Sequence, residues 1–157
     1  MATYTRPAVA YHFLRETLGE ELFKVSLLEY MKRWKGKHPS PYDFFETFND
    51  VTAEDLSWFW NPWFFESGYP DLGIKDVTED NLVRIEKIGN IPLPVEITVT
   101  FSDDSKEITS RSARVWKDSR KLVTIQLYAD KEVKKITLGN ELIPDSFKDN
   151  NLWVVKK

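Results

Sequence analysis

The run Trp58-Phe59-Trp60-Asn61-Pro62-Trp63-Phe64-Phe65-Glu66-Ser67-Gly68-Tyr69-Pro70 marks the change of character in this chain. Leu56, Phe59, Trp60 and Trp63 fall on one helical face, and Gly68-Tyr69-Pro70 is a turn that closes the pattern. From Leu72 onward the apolar period drops from helical to two. Composition changes at the same place: 17 of the 22 aromatic residues lie in residues 1–70 and five in the remaining 87. The two changes together predict an α+β chain of two units, a helical one over 1–70 and an antiparallel β-sandwich over 71–157.

Upstream of the junction the helix signals are local and physical. Pro7 suits a first helical position, where its missing N–H costs nothing, and Val9, Phe13, Leu14 and Thr17-Leu18 recur at helical spacing. Gly19 interrupts the chain. Glu20 and Glu21 then face the positive end of a new helix dipole, while Lys32, Arg33 and Lys35 suit its negative end, and Gly36 stops it. Leu22, Phe23, Ser26, Leu27, Tyr30 and Trp34 are expected to form its inward stripe. Ser40-Pro41 with Asp43 three residues on is a capping-box variant opening a helix that carries Phe44, Phe45 and Phe48 and stops near Asn49-Asp50. Thr52 is expected to cap the next helix, with Asn61-Pro62 kinking or ending it.

Downstream, Val95, Ile97, Val99 and Phe101 alternate with Glu96, Thr98 and Thr100, the pattern of a half-buried strand. Asp103-Asp104-Ser105 is a turn. Further strands are expected over 72–77, 82–88, 106–115, 122–128 and 133–138. Ile91-Pro92-Leu93-Pro94 reads as an edge or a connector, because proline cannot donate to a central ladder.

Composition narrows the function. The chain has 157 residues, 22 basic and 25 acidic, for a net charge of -3 and no long basic run, which argues against a nucleic-acid partner. No apolar stretch approaches the roughly 20 residues of a membrane span. Cysteine is absent, so disulfides, thiol catalysis and thiolate metal sites are excluded. Four Trp and eight Phe in some 60 helical residues exceed what so small a unit readily hides. Either the β-sandwich covers this surface or another part of a larger protein does, and left exposed it favours self-association.

One ordered set of segments carries a resemblance. It comprises Tyr4-Thr5-Arg6-Pro7, Leu18-Gly19-Glu20-Glu21-Leu22-Phe23, Tyr30 to Lys35, Lys37-His38-Pro39-Ser40-Pro41 to Phe45, Asp55 to Trp60, Trp63 and Gly68-Tyr69-Pro70. In that order they resemble zinc aminopeptidases of the aminopeptidase N family, bacterial gluzincins, just downstream of the metal site. Pro92-Leu93-Pro94-Val95, Asp103-Asp104-Ser105, Val115-Trp116 and Ile143-Pro144-Asp145 are similar to the β-domain that follows in these enzymes. Arg6 stands where Lys is usual, and Asn61-Pro62 where bacterial relatives tend to have Arg-Gly.

The resemblance implies the end of a thermolysin-like catalytic domain in a parent that removes N-terminal residues from peptides. It makes Tyr4 the catalytic tyrosine, whose phenol O–H stabilises the oxyanion formed when a zinc-activated water attacks the carbonyl. Four residues alone fit an ordinary terminal aromatic better; the downstream segments reverse that balance in favour of the catalytic role. The family's His-Glu-x-x-His helix, its further Glu and its Gly-x-Met-Glu-Asn segment are absent from this sequence. They are expected upstream of Tyr4 in the same polypeptide. The resemblance therefore implies zinc in the parent, no metal ligands here, and a segment inactive by itself.

The remaining candidates have plainer readings. His12 and His38 are the only histidines and stand 26 positions apart, one within the first helix and one before the Ser40 cap. Glu20/Glu21, Glu54/Asp55 and Asp103/Asp104 sit at helix starts or turns, where capping and solvation account for them. Asp80-Asn81 and Asp149-Asn150-Asn151 lack the alternating ligands of a calcium loop. An alternative to the peptidase reading is a non-catalytic module that binds a protein or glycan through the aromatic helices.

Overall fold

The structure, a computed structural model, describes residues 5–127 and 131–155. The chain is α+β, with helices followed by two antiparallel sheets, as the change of period predicts. It divides into two compact units, Met1–Glu66 and Ser67–Lys157.

The helical unit contains α1 (Thr5–Leu18), α2 (Glu20–Trp34), α3 (Pro41–Thr52) and α4 (Ser57–Trp60), which continues as a π-helical segment, Asn61–Phe65. Helix α1 buries Ala10, Phe13, Leu14 and Thr17, the i, i+3, i+4, i+7 face of an amphipathic helix. Gly19 breaks the chain before α2 with a φ of 84°. At α3 the Ser40 N–H donates to Asp43 Oδ2 at 2.7 Å and the Ser40 hydroxyl to the same oxygen at 2.8 Å. The expected helix entry therefore forms, with Pro41 in its first turn.

Two local expectations are corrected. Helix α3 runs on to Thr52, whose hydroxyl donates to Phe48 O at 2.8 Å instead of capping the next helix. The stop is Ala53 in a left-handed conformation (φ 52°). Leu56 is the N-cap of α4, and Asp55 just before it accepts the Ser57 N–H at 2.9 Å. Asn61-Pro62 widens the helix where a kink or an end was expected. The Glu66 N–H reaches Asn61 O at 2.9 Å, a five-residue bond, because Pro62 has no N–H and its ring crowds the preceding turn.

The stripe expected on α2 is covered only in part. Ser26 is buried, with its hydroxyl on Leu22 O, and Phe23, Tyr30 and Trp34 are half-buried, but Leu22 and Leu27 are exposed.

In the strand unit, β1 (Leu72–Val77), β2 (Leu82–Lys87) and β5 (Leu122–Gln126) form one sheet in the order β1-β2-β5. Strands β3 (Val95–Phe101), β4 (Lys106–Arg111), β6 (Val133–Leu138) and β7 (Leu152–Val154) form the other, in the order β4-β3-β6-β7. β3 is central: Ile97 pairs with Thr109 on one side and Leu138 on the other. Its Val95, Ile97, Val99 and Phe101 are buried, as the alternation requires. The strand expected over 106–115 ends at Arg111. Short 3-10 turns follow and bring Trp116 inward, where its indole N–H donates to Leu93 O at 2.7 Å. Ile91-Pro92-Leu93-Pro94 is a buried connector outside any strand, as two residues without N–H groups require. β7 was not anticipated, since three residues are too few to show alternation.

Gly89 marks a close backbone approach. A Cβ there would lie 2.1 Å from the Tyr69 carbonyl oxygen, beside the paired bonds from the Ile88 and Gly89 N–H groups to Asp71 O, both 3.0 Å. Gly89→Ala is expected to lower stability by about 1–3 kcal/mol, read as a reduced urea midpoint with unchanged slope.

Candidate functional site

Tyr4, the residue to which the resemblance assigns oxyanion stabilisation, lies outside the described residues. The next residues of its motif are described. Arg6, in the first turn of α1, spans to the carbonyl end of the π-helical segment. Its Nε donates to Trp63 O at 2.9 Å, and its Nη2 to Pro62 O at 2.7 Å and Glu66 O at 3.3 Å. Carbonyls at a helix C-terminus lack intrahelical donors and carry the negative end of the dipole. One planar guanidinium supplies several donors in a fixed fork and satisfies them together. The basic residue of the motif thus ties the start of α1 to a segment 56 to 60 positions away. The sequence shows the cation but not these partners, because backbone carbonyls leave no trace in side-chain identity.

Behind this anchor the aromatic run is mainly core. Phe59, Trp60 and Trp63 are buried, with Phe13 and Trp63 ring centres 6.1 Å apart. The Trp60 indole N–H donates to Asn49 Oδ1 at 3.2 Å. Burial, and secondarily the neighbouring Tyr30, push the Tyr11 phenol above its ordinary value. Phe65 and Tyr42 remain exposed, stacked at 5.4 Å.

The histidines do not converge. His12 Nε2 lies 3.3 Å from Glu16 one turn on, in an exposed pair, and His38 is exposed in the link to α3. Among the described residues no three His, Cys, Asp or Glu side chains gather as a ligand set. A catalytic zinc typically takes about three protein ligands. The described residues therefore do not fit a zinc ion. Among the described residues no helix is long and apolar enough to cross a membrane.

Each carboxylate pair has a local occupation. Glu20 pairs with Arg15, and Asp55 accepts the Ser57 N–H at the start of α4. Asp103 and Asp104 hold the β3–β4 turn: Lys131 donates to Asp103 at 2.6 Å and Lys134 to Asp104 at 2.6 Å. Asn81, in the β1–β2 turn, is left-handed (φ 58°), and Asn150 donates to Asp71 Oδ1 at 3.1 Å.

The Lys131 ammonium, and then the Ser105 hydroxyl and N–H, hold the Asp103 carboxyl well below the usual carboxylate range; Lys134 lowers Asp104 in the same sense. A pKa depressed on folding contributes stability above the unfolded value, about 3.9, and loses it as the pH falls through the folded value. The effect is small because both carboxylates are exposed. The gap in urea midpoint between the native chain and Lys131→Ala should be open at pH 7 and narrow as the pH drops below about 4. Arg6→Ala is expected to cost about 1.5–3 kcal/mol in urea unfolding, and Arg6→Lys to recover only part of it, since an ammonium lacks the planar fork.

No established family profile matches the chain. It is similar to aminopeptidase N of Lactococcus lactis subsp. lactis, 26% identical over 84 residues, which is 54% of this chain and 10% of that protein. Its fold is similar to a crystal structure of Legionella pneumophila aminopeptidase A in complex with aspartic acid, with a TM-score of 0.55 and 18% identity. That alignment covers 76% of this chain and 14% of the other. The chain thus spans a tenth to a seventh of the length of these aminopeptidases.

Proposed function

We propose that the chain is the part of a zinc aminopeptidase that follows the metal-binding segment: the end of a thermolysin-like catalytic unit joined to its β-sandwich. The observation that carries this reading is the 84-residue similarity to aminopeptidase N. The aminopeptidase A fold likeness supports it, as does Tyr4-Thr5-Arg6-Pro7, the motif in which Arg6 makes three carbonyl bonds. The parent's substrate would be a peptide with a free N-terminus. Its zinc would be held by the upstream segment of the same polypeptide, since the described residues offer no ligand set.

Within this reading the contribution of the chain is one hydrogen bond. The Tyr4 phenol O–H donates to the oxygen of the first peptide carbonyl as that oxygen gains negative charge, an interaction worth more in the transition state than in the ground state. Arg6 is a positioning residue. Two residues of chain span at most about 7 Å, so anchoring the guanidinium limits how far Tyr4 can stray. Exposed apolar surface on α2, which a longer parent would cover, supports self-association of the isolated chain.

The purified chain, given zinc and an aminoacyl p-nitroanilide, is expected to release no nitroaniline above buffer. Joined to an upstream segment bearing His-Glu-x-x-His, it is expected to hydrolyse the same substrate. In that joined protein Tyr4→Phe should lower kcat about 10²–10³-fold with little change in KM. Hydrolysis by the isolated chain that survives a chelator, or an unchanged kcat in Tyr4→Phe, would sink the reading.

A further inference from the structure

Pro62 changes the helix that carries it in two ways. It supplies no N–H, so the Trp58 carbonyl four residues back loses its ordinary α-helical donor, and a proline ring crowds the carbonyl at that position. The segment Asn61–Phe65 accommodates this by slipping one residue into π register. The slip is visible in its last bond. In α register the Glu66 N–H would close on Pro62 O, four residues back; here it closes on Asn61 O at 2.9 Å. Pro62 O is thereby vacated.

Arg6 takes the vacated oxygen. Its Nη2 lies 2.7 Å from Pro62 O, the shortest of its three carbonyl bonds, and its Nε lies 2.9 Å from Trp63 O. In α register the Glu66 N–H would compete for Pro62 O, and the tighter turn would draw the carbonyls away from the fan that one planar fork spans. The carbonyl of Trp63 is not free to follow the guanidinium. Its indole is 1% exposed, with the Phe59 ring centre at 6.0 Å and that of Phe13, on α1, at 6.1 Å. The register of the segment therefore decides whether the fork finds its acceptors.

We propose that Pro62 is a second positioning residue for the Tyr4 phenol, acting through Arg6: the π turn that it imposes builds the carbonyl seat that anchors the start of α1. The part of this inference that concerns Tyr4 rests on the peptidase reading. The coupling of Arg6 to Pro62 does not, since it is a property of this chain alone.

Urea unfolding of the chain and turnover by the joined protein described above test it together. Alanine at this half-buried position favours helix, so Pro62→Ala keeps the fold. Arg6→Ala should shift the urea midpoint at least twice as far in the native chain as in Pro62→Ala. In the joined protein Pro62→Ala should lower kcat about three- to tenfold with KM unchanged, and should lower it no further once Tyr4→Phe has removed the hydroxyl. A full-sized Arg6 effect in Pro62→Ala overturns the proposal. So does a kcat that Pro62→Ala leaves unchanged, or lowers equally in Tyr4→Phe. A kcat insensitive to Tyr4→Phe overturns the peptidase reading and with it the role of Pro62 toward Tyr4, while coupled urea midpoints still establish the Arg6–Pro62 anchor.

Discussion

Phe44, Phe45 and Phe48 on α3 meet Trp60 and Phe64 in one continuous group of rings, and the helical unit is arranged around it. Phe44 and Phe48 lie 4.6 Å apart, Phe45 and Trp60 4.6 Å, and Phe45 and Phe64 5.1 Å. A unit of this size buries a smaller fraction of its surface than a larger domain does, so each residue committed to the core must carry a large area. Aromatic side chains do so with few rotatable bonds. Tyr11 joins from α1 and Phe23 from α2, each by ring contacts of about 5.5 Å. Asn49 sets the orientation of α4 against α3, accepting both the Leu56 N–H and the Trp60 indole at 3.2 Å. The π-helical widening at Pro62 keeps Trp63 on the buried side despite the missing donor.

The strand unit rests on a different economy, apolar alternation with closed polar seams. β3 hydrogen-bonds to neighbours on both edges and buries every inward residue, so its ladder has no exposed side. Edge strand β4 is mostly exposed and carries Lys106, Glu107 and Arg111, charges that discourage edge-to-edge pairing. The turn between them is held by lysines from the segment leading into β6 and from β6 itself, so the Asp103-Asp104 pair is a structural clasp.

Several of the polar side chains singled out in the sequence have structural partners among the described residues. Glu20 pairs with Arg15, Asp103 and Asp104 pair with lysines, and His12 and His38 are surface groups. Arg6, the motif cation, serves three backbone carbonyls. A residue with these partners holds a helix start in place and does not itself react with a substrate.

Element type and order follow from the sequence alone, because they rest on local periodicity and on short-range devices: the Ser40-Pro41-Asp43 entry, the Gly19 break and the alternation from Val95 to Phe101. The boundary errors have the same local origin. Thr52 is a competent cap in sequence, and the left-handed Ala53 that instead ends α3 after it is not a conformation alanine advertises. Coverage, strand order and long-range partners came only from the tertiary structure. Leu22 and Leu27 read as inward yet are exposed, since whether an apolar residue is buried depends on what the rest of the chain brings to it. The carbonyls that hold Arg6 and Trp116 are invisible in sequence for the same reason. Every residue carries one, and only the fold sets which of them meets a distant donor.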